Sequence, residues 1–151
     1  MANSDIWTTQ GFDAFRKGRF GNGGQNLYVS RAGILQRIHQ YDLDRDGYMD
    51  VVICNSQPHG EQPPSFLYHD PLGDVVRSEL RSDGAWSGTV ADLNGNGYDD
   101  IIIGMLNNGE RSDLNAFVYY GSPDGHSERR QLLLPAPSCV SIDAGDFNGD
   151  G

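Results

Sequence analysis

One acidic motif, written three times at nearly constant spacing, restricts what this chain can fold into. YDLDRDGYMDVVI, ADLNGNGYDDIII and GDFNGDG begin their acidic loops at Asp42, Asp92 and Asp146, which stand 50 and 54 residues apart in a chain of 151. Self-similarity at such a period marks a repeat architecture in which each unit buries its apolar face against the next. A second element recurs in phase with the first. Tyr28, Tyr68 and Tyr120 each stand five residues ahead of a glycine, Gly33, Gly73 and Gly125.

The segments between these marks are strand-like. Val51-Val52-Ile53 and Ile101-Ile102-Ile103 follow the complete loops; these β-branched runs are too short for helices and lie between Gly, Asn and Pro. SFLYHD and AFVYYG supply a second strand, and VVRSEL and RRQLLL a third that closes a hairpin. GILQRIH, GAWSGTV and CVSIDAG, each just before a loop, alternate apolar or small residues with polar ones and supply a fourth. No segment sustains helical periodicity over three turns. The expectation is an all-β chain built from propeller blades of four antiparallel strands, about three blades in all. The units fall near 20–54, 55–104 and 105–151, after an N-terminal segment 1–19. That segment and its flank hold Trp7, Phe12, Phe15 and Phe20, and offer a closing strand. GDFNGDG stops inside a motif that is complete twice before, so a chain truncated at its C-terminal end is expected, with its remaining blades supplied by a longer chain or a second copy.

The loops themselves predict a metal. In D-x-[DN]-x-[DN]-G-x-x-D the odd positions converge on one centre, while the glycine permits the sharp turn. Loop one offers Asp42, Asp44, Asp46, the Tyr48 carbonyl and Asp50; loop two offers Asp92, Asn94, Asn96, the Tyr98 carbonyl and Asp100; loop three begins with Asp146, Asn148 and Asp150. Oxygen-only sets of this kind suit Ca2+, which accepts six to eight irregular ligands, better than Mg2+, which demands a small octahedron. An EF-hand does not fit, because its twelfth position, where Glu is needed, holds Ile53 and Ile103. Loop one carries four carboxylates against two in loop two, so it is expected to bind more tightly.

Charge agrees with a cationic partner. Eleven Lys and Arg against 21 Asp and Glu give a net charge of −10, which argues against nucleic acid and anionic lipid as partners. No apolar run reaches the roughly 18 residues of a membrane span, and MANSDIWTTQ shows neither the basic nor the apolar part of an export signal. Cys54 and Cys139 lack a second Cys or a His at metal-ligand spacing and are expected as buried apolar residues; whether they pair is left open by the sequence.

YDLDRDGYMDVVI, ADLNGNGYDDIIIG, VYYGSPDG and AGDFNGDG together resemble the FG-GAP or VCBS-type repeats of integrin α-subunit propellers, fungal lectins and bacterial secreted proteins, over roughly residues 20–151. The resemblance implies a propeller, usually of seven blades, with calcium stiffening a loop of each blade, and an extracellular or periplasmic location. It implies a module for recognition of, or adhesion to, a glycan or an extracellular protein. Two other readings stand beside this one: the propeller part of a calcium-dependent polysaccharide lyase or hydrolase, and a structural spacer. For the enzyme, the four histidines are scattered and no nucleophile turn occurs; His59 beside Glu61, the sole local acid–base pair, fits a solvated loop pair better. Trp86, Tyr48 and Tyr98 suit packing between blades better than stacking on sugars.

Overall fold

The computed structural model describes residues 27–57, 60–71 and 73–149; the N-terminal aromatics, His59 and Asp150 lie outside these. Among the described residues, nine strands form two antiparallel sheets. The first contains β1 (Leu27–Val29), β2 (Leu35–Tyr41), β3 (Asp50–Ser56), β4 (Ser65–His69) and β5 (Val76–Leu80), paired in chain order. The second contains β6 (Ala85–Ala91), β7 (Asp100–Met105), β8 (Asn115–Tyr119) and β9 (Gln131–Pro135), also in chain order, with a 3-10 turn at Glu128–Arg130 leading into β9. Each complete acidic loop joins the first two strands of a four-stranded meander: 42–49 between β2 and β3, and 92–99 between β6 and β7.

The two meanders share one register. Val51 faces Tyr68 across β3 and β4, and Ile101 faces Tyr119 across β7 and β8. The β-branched strands β3 and β7 lie inside their sheets with neighbours on both sides, so their residues are buried on both faces. Alternation then divides their contacts. Ile101, Ile103 and Met105 of β7 face the first sheet and join Val52, Cys54, Leu67 and Leu80 in one core, with Tyr41 and Val90 packed against it. Full burial of each Ile side chain stabilises by about 1.5–3 kcal/mol relative to exposure.

Aromatics fasten the sheets as well. The Tyr41 hydroxyl donates to the Gly88 carbonyl at 3.2 Å, and the Arg37 guanidinium lies 4.9 Å from the centroid of the Trp86 ring. Trp86 therefore packs between sheets. Gly88 lies against the first sheet, where a Cβ would make ordinary contact with Cys54 Sγ at 3.4 Å. Cys54 and Cys139 are both free thiols, and complete burial pushes the Cys54 thiol up to about 12.

Cys139–Gly145, expected as a strand, takes no strand conformation. Its polar groups bond sideways to the second sheet. Cys139 N–H donates to the Met105 carbonyl at 3.1 Å, Ile142 N–H donates to the Ser87 hydroxyl at 3.3 Å, and the Thr89 hydroxyl donates to Asp143 at 3.3 Å. A Cβ on Gly104, which occupies in β7 the place of Cys54 in β3, would lie 2.5 Å from Cys139 Sγ. The segment thus rests on the face of the second sheet that matches the face the first sheet turns to the second. No helix among the described residues is long and apolar enough to cross a membrane.

Candidate metal centre

In loop one, two residues take left-handed backbone conformations, Arg45 at φ 60° and Gly47 at φ 87°. This reverses the chain tightly enough for one ligand atom from each of Asp42, Asp44 and Asp46 to lie within 4.8 Å of the others. The Asp46 N–H donates to Asp44 Oδ1 at 3.2 Å and the Tyr48 N–H to Asp46 Oδ1 at 2.8 Å, so the side chains cap the turn while their other lone pairs stay available. Burial, then the Asp50 carboxylate, pushes the Asp44 carboxyl above its usual range. Like charges crowded in this way are relieved by a bound cation, so the donor set fits one.

Asp50 stands apart from this exposed trio. It is 1% exposed, with Oδ2 accepting the Leu43 N–H at 2.6 Å and Oδ1 accepting the Asp70 N–H at 3.4 Å. His69 Nδ1 lies 3.1 Å from the same Oδ1 and 3.7 Å from Asp44 Oδ2. That hydrogen bond to Asp50 raises the His69 pKa, against the opposing effect of burial.

Loop two repeats the plan with amides in place of carboxylates. Gly95 and Gly97, at φ 69° and 86°, take the backbone places of Arg45 and Gly47. Asp92 accepts the Asn96 N–H at 3.1 Å and the Gly97 N–H at 2.7 Å; these backbone bonds, Gly97 first, lower its pKa. Asn94 Oδ1 accepts the Asn96 N–H at 3.1 Å, and Asn96 Oδ1 the Tyr98 N–H at 2.9 Å. Asp100, fully buried, accepts from Leu93 N–H at 2.9 Å and Gly121 N–H at 2.8 Å, as Asp50 does from Leu43 and Asp70. Asp146 of the third loop accepts the Gly149 N–H at 2.7 Å. Tyr48 and Tyr98 occupy the positions from which a main-chain carbonyl is expected to point inward.

The description FG-GAP-like repeat matches residues 42–103 and again 92–151. The chain belongs to the FG-GAP-like repeat family. A curated relative, integrin alpha-4 of Xenopus laevis, is 27% identical over 114 residues, covering 67% of this chain and 11% of its own length. No solved structure matches. The two meanders are accordingly propeller blades of the FG-GAP-like type, and each complete loop sits at the same β-turn of its blade.

The two FG-GAP-like loops also meet each other. Arg45 Nη2 donates to Asp99 Oδ1 at 3.2 Å, tying loop one to loop two at the surface. Beside this pair a cleft of about 460 Å³ opens between blades, lined on one wall by Asp44 and His69 and on the other by Tyr98, Asp99, Ser122 and His126. His69 follows Tyr68 at the end of β4, so its counterpart in the second blade is Tyr120 after Tyr119. The strand register thus sets Tyr68 against Tyr119, one place off the match with Tyr120 that the spacing to Gly73 and Gly125 predicts. By that spacing His69 stands against Gly121, and its partners lie 19 and 25 residues upstream, so no local signal in the sequence marks it.

Proposed function

We propose that this chain is a calcium-binding β-propeller repeat module that serves recognition of, or adhesion to, a glycan or protein outside the cell. The observation that carries this reading is the convergence of Asp42, Asp44 and Asp46 within 4.8 Å of one another, in a turn whose spacing and backbone conformation recur in loop two. Calcium would be held by Asp42, Asp44, Asp46, Asp50 and the Tyr48 carbonyl in loop one. In loop two it would be held by Asp92, Asn94, Asn96, Asp100 and the Tyr98 carbonyl, with Asp146, Asn148 and Asp150 beginning a third set. Bound there, it would supply positive charge that cancels the carboxylate crowding and stiffens the turn between two strands. Likeness to an integrin α chain supports an extracellular setting and a protein partner.

Isothermal titration with CaCl2 tests the metal half of the proposal, with at least two sites expected and loss of one in Asp42→Ala. Arrays of glycans and extracellular proteins, probed in calcium and again in EDTA, test the recognition half. Binding that needs calcium supports the module, whereas a chain that takes up no calcium refutes it.

A further inference from the structure

We infer that loop one has a second cation specificity: Asp44, Asp50 and His69 form a nitrogen-and-oxygen site for a transition metal such as Zn2+, open to the cleft between the blades. The carboxylate oxygens and the imidazole Nδ1 all lie within 4.8 Å of one another. Nδ1 stands 3.1 Å from Asp50 Oδ1 and 3.7 Å from Asp44 Oδ2. Zinc bonds of about 2.0–2.2 Å to His and Asp place neighbouring ligand atoms roughly 3–3.5 Å apart, so a metal fits between these three with small side-chain adjustments.

The choice of metal follows from the donors. Calcium takes oxygen ligands, whereas imidazole selects Zn2+ and its first-row neighbours over Ca2+ and Mg2+. Asp50 is buried and held by the Leu43 and Asp70 amides, which fixes one ligand in advance. Asp44 and His69 line the cleft of about 460 Å³, which gives the ion an entry path and leaves room for water at the remaining positions. The second blade is an internal control: Tyr120 stands where His69 does, and the imidazole beside loop two, His126, turns Nε2 to the Asp99 carbonyl at 2.9 Å.

Because Asp44 and Asp50 also belong to the proposed calcium set, the two ions compete for loop one, but zinc binding does not require that calcium binds. The test is titration of the full chain with ZnCl2, compared with His69→Gln and with His69→Tyr, the residue of the second blade. Both variants are expected to lose about tenfold or more in affinity at one zinc site, on the scale at which ligand-shell changes act, while calcium affinity changes by less than about threefold. On the unmodified chain, zinc should strongly shift the His69 Nδ1 resonance in imidazole NMR spectra and calcium should not. Zinc affinity within about threefold of wild type in both folded variants, or a His69 resonance indifferent to zinc, would reduce the trio to an ordinary His–Asp ion pair and overturn the inference. Failure of the calcium reading shows separately, as absence of calcium heat in all three proteins.

Discussion

Asp50 Oδ2 accepts the amide N–H of Leu43 at 2.6 Å, with both residues buried. The acidic loop is therefore closed across its own mouth by its last carboxylate, before any ion is considered. Asp100 does the same for Leu93 and holds Gly121 as well. The carboxylates that end the loops are thus part of the fold as well as of the proposed cation sets, whereas Asp42, Asp44 and Asp46 of loop one are exposed.

That division predicts a split among alanine variants. Asp100→Ala strands the Gly121 amide in a buried position and removes the Leu93 bond, at a cost of about 2 kcal/mol or more even without calcium. Asp42→Ala, at an exposed position, should change calcium-free stability by no more than about 0.5 kcal/mol. Urea unfolding of both in EDTA measures the difference, and equal costs would show that the closing carboxylate has no separate structural role.

Charge count predicts an order of affinity. Loop one presents four carboxylates and loop two presents two, so Asp42→Ala should abolish the tighter calcium site and Asp92→Ala the weaker. Calorimetric titration of the two variants decides it, and loss of the tighter site in Asp92→Ala would reverse the assignment.

Acid should weaken the fold through two histidines. Burial, aided by Arg37 in one case, lowers the pKa of His39, and burial lowers that of His126. The unfolded chain therefore binds more protons than the native one as pH falls from about 6.5 toward the lowered values, and stability drops across that window. His69, with its raised pKa, becomes protonated in both states there and adds little slope. Calcium-free melting temperatures should fall between pH 6.5 and 5, less steeply in His126→Gln; a flat profile would contradict this.

Gly121 predicts a steric failure. A Cβ at this position would overlap the Asp99 carbonyl oxygen and press within 3.0 Å of the Tyr98 Cβ. Gly121→Ala must displace backbone at the loop that Asp100 anchors, with an expected loss of about 1–3 kcal/mol. Chemical denaturation measures it, and a variant as stable as wild type would mean that the loop yields freely.

Much of this was legible in the sequence, for identifiable reasons. Val51-Val52-Ile53 and Ile101-Ile102-Ile103 announce buried strands because β-branched runs bounded by turn residues have few other uses. The loops were legible because their alternation is local, as the turn bonds from Asp46 and Asn96 show. Contacts made at long range were not. His69 meets Asp50 across 19 residues and Arg45 meets Asp99 across 54, with nothing in the intervening spacing to reveal either. Cys139–Gly145 has the alternation of a strand, yet its amides bond to Ser87 and Met105 on a neighbouring blade, and alternation alone cannot say which partner a strand-like segment will find.

Cation binding by the acidic turns underlies the proposed function, and a pair of melts measures it. In saturating CaCl2 the melting temperature of the full chain should rise over its value in EDTA, by an amount set by about 2.7 kcal/mol of stabilisation at a hundredfold excess over the dissociation constant. Most of that rise should vanish when Asp42→Ala and Asp92→Ala are combined. An identical melting temperature with and without calcium would mean that the acidic turns hold no ion.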